Sequence, residues 1–296
     1  MNKLYCFLFL AFIINRANAC DACGCDISSR IFPTDSKTYL GLGHQVGYYN
    51  GKHGHPGESI YSRSKEVFNR TDLFVKYAPN NRIEFIGQIP WVNYYIYSNS
   101  YLINNISGLA DATLLGRYIF LSKIKCPTSH RLAMGAGLKL PTGKYIANIN
   151  TDNPNYQPGS GTVDYIFNVN YSYRKNDDGL RADVNYRYNT TNKNQIKKGN
   201  LFAGIIEYFH TKELGRNTKS IIYTGIGLEN VSKDKLPVIK DFTPSTRLYG
   251  ELTAGGDIYY KKMFASLRIK TPVLQSRNDF QLPYYGTVNI SVGFML

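Results

Sequence analysis

Apolar and polar residues alternate with a period of two along most of this chain, a pattern that predicts β-strands with two different faces. The clearest case is the segment 163–174, in which Val163 and Phe167 share one face while Asp164 and Asn168 share the other. Charged residues occur at mid-strand in almost every such segment, which is unusual for the outer face of a soluble sandwich. A transmembrane barrel with an apolar exterior and a polar interior predicts this arrangement.

Two segments, 108–121 and 130–144, form the predicted hairpin around which the other strands are arranged. The first reads GLADATLLGRYIFL and the second reads HRLAMGAGLKLPTGK. In the first, Leu114 and Tyr118 alternate with Thr113 and Arg117, so one face is apolar and the other is polar. The second repeats the pattern, with leucine, methionine and alanine facing glycine and Lys139.

The alternation predicts an all-β fold, a transmembrane antiparallel up-and-down barrel of about twelve strands of about 10 to 14 residues each. Long and short connections alternate, as they do in barrels with long extracellular loops and short periplasmic turns. Both chain termini would then lie in the periplasm. The segments predicted as long loops are 50–66, 98–107, 145–161, 190–199, 231–244 and 275–285.

The first nineteen residues contain Lys3, then an apolar run, then the triplet Ala17-Asn18-Ala19. This is the pattern of an export signal with a cleavage site. The predicted organisation is a signal peptide at 1–19, a cysteine-rich periplasmic segment at 20–36 and an outer-membrane barrel at 37–296. Cleavage would make Cys20 the first mature residue, so ordinary cleavage and lipid attachment at Cys20 both stay open. Both routes lead out of the cytoplasm.

The segment before the first strand contains Cys20, Cys23 and Cys25 in the sequence CDACGCD. Exported cysteines normally oxidise, so these three and Cys126 are candidates for disulfide bonds. Three closely spaced sulfurs also suit a soft metal, and the only cofactor that the sequence suggests is copper or zinc at this cluster. The spacing does not decide between these alternatives.

The polar face of the strands carries both signs of charge in near balance, which favours paired side chains across a narrow space because unpaired buried charges are costly. We therefore expect a constricted, polar and mildly anion-favouring lumen. The net charge of +14 falls mainly in the signal peptide, loops and turns. Parity predicts that the lumen is lined by Arg70, Asp72, Lys76, Glu84, Asp111, Arg117, Lys139, Asp164, Arg174, Arg181, Asp183, Arg187, Glu207, Glu229, Glu251, Arg268 and Lys270, and also by Arg82 and Arg247.

Several features indicate an outer-membrane environment. Ile290, Val292, Phe294 and Leu296 alternate up to the carboxyl terminus, where such barrels commonly keep the signal read by their insertion machinery. Basic loops suit lipopolysaccharide phosphates better than nucleic acid, for which no recognition motif is present. These loop residues are Lys193, Lys197, Lys198, Lys233, Lys235 and Lys240. An aromatic girdle is predicted from Tyr77, Tyr118, Phe120, Tyr171, Tyr173, Tyr208, Tyr259 and Phe294.

The cysteine-rich segment 20–26, the run GLADA at 108–112 and the run GAGLKLPTGK at 135–144 together resemble a family of outer-membrane barrels. That family is similar to the barrels encoded with meta-pathway phenol degradation. Ala110 stands where a glycine is more usual. The resemblance implies a barrel that transports small, often apolar, molecules, and it identifies neither a substrate nor binding residues.

Three other functions compete with transport. A lipid-modifying enzyme would need a histidine near a serine, and only His44 lies at mid-strand, where a tolerated polar residue is the simpler interpretation. A soluble secreted ligand-binding protein would not end on a membrane-type strand. A purely structural barrel with a plugged lumen and a metal-handling cysteine segment is the remaining alternative.

Overall fold

The computed structural model describes residues 38–54, 61–98, 101–125, 127–145, 157–235, 246–276 and 282–296. The predicted signal peptide, the cluster of Cys20, Cys23 and Cys25, and also Cys126 lie outside the described residues. The alternatives for the cysteines therefore stay predictions. Within the described ranges, no helix has the length and apolar character needed to cross a membrane.

The described chain forms one closed antiparallel barrel. β3 pairs with β4 along its second half and with β5 along its first half, so β4 and β5 together make one crossing and the wall has twelve. Pairing of β1 with β13 and of β2 with β3 closes the wall, which confirms the predicted fold class. The strands are β1 (Tyr39–Gly54), β2 (Tyr61–Asn80), β3 (Ile83–Ser98), β4 (Tyr101–Leu109), β5 (Thr113–Lys125), β6 (Thr128–Lys139), β7 (Asp164–Lys175), β8 (Asp178–Tyr188), β9 (Leu201–Gly215), β10 (Thr218–Val231), β11 (Arg247–Tyr260), β12 (Met263–Ser276) and β13 (Tyr284–Met295).

The outer face of the barrel is apolar and exposed, as the alternation predicts. On β7, Tyr165, Phe167 and Val169 point outward, while the intervening Ile166 and Asn168 are buried. The same pattern of exposed large apolar side chains surrounds the barrel. A continuous apolar exterior of this extent is stable only against lipid or another apolar surface.

Pro90 interrupts the hydrogen bonding of the wall without changing the parity of β3. The alternation continues through it, with Ile89 and Trp91 exposed and Pro90 buried. Gln88 pairs with Thr113 and Trp91 pairs with Leu109, so the partner crossing contains one extra residue. A proline in a sheet cannot donate to the ladder, and a bulge accommodates this loss.

Several predicted loops are shorter than expected, and one predicted strand is too long. β1 and β2 stay paired through Asn50–Lys65 to Gly54–Tyr61, so most of the predicted loop 50–66 is a strand hairpin. The predicted loop at 98–107 forms β4, and β6 ends at Lys139, five residues before the expected Lys144. Strands that extend beyond the apolar belt carry polar residues on both faces, so alternation cannot reveal them.

Glycines on the inner face of β6 allow it to lie unusually close to β5. A Cβ at Gly135 would lie 2.4 Å from the carbonyl oxygen of Gly116, and one at Gly137 would lie 2.2 Å from that of Leu114. Any side chain at these positions would force the two strands apart. The GAG sequence of this segment therefore has a packing role in the barrel wall.

Not all of the interior is polar, because three apolar clusters lie among its charges. One contains Ile86, Leu115 and Ile166, and a second contains Phe68, Val92, Tyr94 and Ala110. The third lies where the start of β1 meets the end of β13. It contains Tyr39, Phe74, Phe264 and Met295, with Tyr259 packed against them. Tyr259 is therefore an interior residue, and its assignment to the outer aromatic girdle is wrong.

Candidate functional site

The predicted lumen-lining residues lie on the inner face of the barrel, with two exceptions. The side chains of Arg82 and Arg174 are exposed, because each residue lies beside a turn where a long side chain reaches water. Among the other predicted residues, Arg187, Glu229 and Lys270 are half-buried and the rest are buried. Burial of so many charged groups means that each needs a partner.

Glu84 on β3 lies at the centre of the first ionic cluster. Its side chain is fully buried and contacts Lys76 Nζ at 2.8 Å and Arg131 Nη2 at 2.7 Å. Lys76 is on β2, which neighbours β3, whereas Arg131 is on β6, which is separated from β3 by β5. Lys76 Nζ also lies 5.2 Å from the ring centroid of Tyr39. Through Lys76, the Glu84 cluster therefore contacts the apolar cluster of Tyr39, Phe74, Phe264 and Met295.

Glu207 on β9 forms a second cluster with the same arrangement. It accepts a hydrogen bond of 2.7 Å from Arg181 Nε on β8, and Arg268 Nη1 on β12 lies 3.4 Å from its other oxygen. The ring of Tyr223 contacts both guanidinium groups, at 4.3 Å from Arg181 and 4.8 Å from Arg268. The pair of Glu207 and Arg268 spans two intervening strands, so the cluster crosses part of the lumen.

Arg117 and Asp183 connect two further strands that are not neighbours. Their closest atoms are 3.6 Å apart, and they lie on β5 and β8, with β6 and β7 between. Asp183 also accepts hydrogen bonds from the side-chain amides of Asn168, Asn170 and Asn185, at 2.7 to 3.0 Å. The carboxylate would therefore keep three donors if the arginine were removed.

The two motif segments of the sequence meet at Lys139. Lys139 Nζ lies 2.9 Å from Asp111 and 2.6 Å from Asp164, and it also bonds to Ser160 Oγ. Asp111 lies in the bulge opposite Pro90 and accepts hydrogen bonds from the backbone N–H groups of Gly143 and Ser160. This Lys139 cluster joins the bulge to both described ends of the long β6–β7 connection.

Tyrosines and ion pairs lie together near the loop-bearing ends of β1, β11 and β13. The ring of Tyr284 lies 5.1 Å from that of Tyr49 and 5.1 Å from that of Tyr249. Beside them, Arg247 donates to Glu229 at 2.7 Å, and Lys270 lies 3.4 Å from Glu251. The interior at this level is also filled by paired polar and aromatic groups.

The arrangement of these groups suits selective passage better than bond chemistry. Lys139, the cation that bonds to Ser160, lies between the carboxylates of Asp111 and Asp164. The described hydrogen bonds of His44, His130 and His210 go to Thr71, Tyr171 and Asp178, none of which is a serine. Charges and hydrogen-bonding groups that face a confined space are the elements that set the selectivity of pores.

Reasoning from parity missed three interior residues. Arg131 and Tyr223 belong to the clusters described above, and the buried Asp257 accepts a hydrogen bond from Ser266. Arg131 lies at the start of a strand beside a turn, and Asp257 is next to a pair of glycines, so neither stands out from its neighbours. Tyr223 is 5% exposed and contacts two arginines. A tyrosine in such a chain is more readily assigned to the lipid interface, and only contacts between distant strands identify it as an interior residue.

Similar solved structures are outer-membrane barrels. The fold resembles the crystal structure of an outer-membrane channel from Pseudomonas putida F1, with a TM-score of 0.66, 12% identity and coverage of 90% of this chain and 100% of that one. The NanC porin is less similar, with a TM-score of 0.41, 12% identity and coverage of 87% of this chain and 100% of that one. The TodX monoaromatic hydrocarbon channel gives a TM-score of 0.39, 9% identity and coverage of 88% and 90%.

No curated protein matches the sequence significantly. One family model does match, over residues 65–261, which is about two thirds of the chain. The matched region begins in β2 and ends at the turn after β11. It contains both motif segments, the Lys139 cluster, and Glu84 with Lys76 and Arg131. Of the Glu207 cluster it contains every member except Arg268. The chain therefore belongs to the family described as "Putative MetA-pathway of phenol degradation".

Proposed function

We propose that this protein is an outer-membrane channel for small solutes, with a lumen constricted by paired charges. The observation that carries the proposal is the pairing of Glu84, Glu207 and Asp183 with cations on strands that are not their neighbours. Such pairs can form only where the lumen is narrow. A constriction lined by ion pairs admits small solutes one at a time and excludes larger ones.

The barrel has its chain termini and short turns in the periplasm and its long connections outside the cell. Support comes from the alternation of long and short connections, which is characteristic of bacterial outer-membrane barrels. The outward row of Ile290, Val292 and Phe294 on the last strand suits recognition by the barrel insertion machinery. Cysteine labels at Asn194 and at Asn176 would test this orientation, because only the first should react on intact cells.

The solutes are small, and those without strong charge pass best. The interior offers the apolar clusters of Ile86 and of Phe68 between its ionic groups, so an apolar molecule meets both kinds of surface. The family description links the family to phenol degradation, and the Pseudomonas putida F1 structure is described as a channel. Passage is passive and needs no catalytic residue, metal or cofactor.

Single-channel conductance in planar bilayers tests the proposal, with Arg117→Ala as the main variant. Loss of the arginine removes a group that spans part of the lumen, while Asp183 keeps its three amide donors. We expect small conductance steps from the unaltered protein and larger steps from Arg117→Ala. Leu114→Ala, an outward substitution on the same strand, is the matched control and should leave conductance unchanged.

Two outcomes would contradict the proposal that the barrel is a channel. If neither the unaltered protein nor Arg117→Ala conducts, although both are folded, the barrel is plugged and its role is structural. The close burial of the ionic clusters is the observation that favours this second candidate function. If Leu114→Ala changes conductance as much as Arg117→Ala, the ions do not pass through the interior of the barrel.

A further inference from the structure

A second charged surface lies on the outside of the barrel, at the ends of β8 and β10. Lys197 and Lys235 pair as an isolated antiparallel bridge, with N–H to carbonyl distances of 2.9 and 2.8 Å in the two directions. Residues directly opposite in such a bridge project their side chains to the same face, about 5.5 Å apart at Cα. The side chains of the two lysines therefore project to the same face.

A third polar group extends this row. Thr191 pairs with Lys197 on its other side, so Thr191, Lys197 and Lys235 form a row across three segments of chain. Thr191 and Lys235 are exposed, and Lys197 is half-buried. The row presents one hydroxyl group and two ammonium groups to the outside.

Carboxylates near this row point the other way. Asp234 is buried and accepts a hydrogen bond of 2.6 Å from the backbone N–H of Gly199, while Asp164 accepts one from Thr190. Among the described residues, neither Lys197 nor Lys235 has a carboxylate within ion-pair distance. Like charges directly opposite each other in a sheet are destabilising, so this pair favours a bound anion.

The row also borders the lipid-facing belt. Lys197 Nζ lies 4.1 Å from the ring centroid of Tyr188, which is 42% exposed on the outer face. The neighbouring Tyr186 is also outward, and its hydroxyl accepts a hydrogen bond from Asn200 Nδ2. A ligand here meets cations at one end and an apolar aromatic surface directly below them.

We propose that Thr191, Lys197 and Lys235 form a site for a phosphate of lipid A, with its acyl chains lying along Tyr186 and Tyr188. Lysine is a common phosphate ligand, and each nearby lysine strengthens the binding of an anionic lipid about fivefold. The choice of lipid A rests on the proposed orientation, since this end of the barrel faces the outer leaflet.

Binding of purified lipid A to the detergent-solubilised barrel, measured by native mass spectrometry, tests the site. The variant is Lys197→Gln with Lys235→Gln, and we expect about a thirtyfold loss of affinity. Lys261→Gln with Lys262→Gln is a matched control, because these lysines also lie over outward rings, those of Tyr260 and Phe294, at the opposite rim. The control should bind lipid A as the unaltered protein does.

Lipid A without its phosphates separates phosphate recognition from acyl-chain adsorption, and it should bind the unaltered protein about thirtyfold more weakly. Equal binding of both lipids, or an equal loss in the control variant, would overturn the site. The assay does not require conductance, so a barrel that fails to conduct can still bind lipid A. Labelling that showed Asn194 on the periplasmic side would overturn lipid A as the ligand in the cell.

Discussion

The outer and inner faces of the barrel wall follow the same alternation but obey different rules. Outward residues such as Ile206 and Ile222 face a uniform apolar environment. The contribution of each to stability therefore does not depend on a specific partner. Inward residues such as Glu207 and Tyr223 are stabilised by partners on strands up to three positions away in the sheet. The same substitution should therefore have very different effects on neighbouring residues of one strand.

The largest difference is expected between Glu207 and its neighbour Ile206. Glu207→Leu leaves Arg181 and Arg268 buried without their carboxylate, which should cost about 3 to 5 kcal/mol of unfolding free energy. Ile206→Leu, on the lipid face, should change it by less than about 0.5 kcal/mol. Urea unfolding in lipid vesicles measures both, because the chain has a single tryptophan and Trp91 lies on the outer face.

A second variant tests whether Arg181 and Arg268 need the charge of Glu207 or only a hydrogen-bond acceptor. Glu207→Gln keeps the side-chain volume and one hydrogen-bond acceptor while removing the charge. If Glu207→Gln is as stable as the unaltered protein, the arginines need an acceptor and not a charge, and the ionic interpretation of the cluster is wrong.

The next prediction concerns Phe294 and Met295, which point to opposite faces at the chain terminus. Phe294→Asp puts a charge on the lipid face, at up to about 2 to 4 kcal/mol depending on depth. Parity alone predicts that Met295→Asp is much milder, because a polar lumen would accept it. Met295 instead packs on Tyr39, Phe74 and Phe264, so we expect a similar loss of unfolding free energy at both positions.

Conservative variants show whether the two losses have these causes. Phe294→Leu and Met295→Leu both stay apolar and should each cost less than about 1.5 kcal/mol. A mild effect of Met295→Asp in the same vesicle assay would mean that the apolar cluster around Met295 is open to water.

These pairs show why the sequence predicts the wall better than the site. A lipid-facing position such as Phe167 needs only to be apolar, so alternation predicted it along with the barrel and its twelve crossings. Arg131 and Glu84 are 47 residues apart in the chain, and nothing in either local sequence indicates that they meet. Lys139 and Asp111 were predicted to face inward, but the role of Ser160 between them depends on a loop whose path no periodicity describes.

A smaller effect is expected at Tyr223, which contacts Arg181 and Arg268. Tyr223→Leu removes the ring and should cost about 1 to 2 kcal/mol through lost cation–π contact. Tyr223→Phe keeps the ring but removes the hydroxyl, which bonds to the carbonyl of Leu267 at 3.2 Å and to the side chain of Arg268, and should cost about 1 kcal/mol. Ile222→Leu on the outer face is the control, and equal unfolding free energies of all three variants would show that the ring contributes nothing.

The smallest effect tests the outer face at a polar position within the apolar row of β1. His44 points outward, and its Nδ1 lies 2.9 Å from Thr71 Oγ1. The two polar side chains therefore hydrogen-bond to each other on the lipid-facing surface. His44→Leu should change the unfolding free energy by less than about 0.5 kcal/mol, because leucine suits lipid and a lone threonine hydroxyl can bond its own backbone. Asp72→Leu, next to Thr71 but buried inside, should cost about 3 to 5 kcal/mol, because Arg70 loses a carboxylate that lies 2.8 Å away. A larger loss for His44→Leu than for Asp72→Leu would show that a specific hydrogen bond on the lipid face outweighs the pairing of the interior, and that the two faces do not differ in the way argued above.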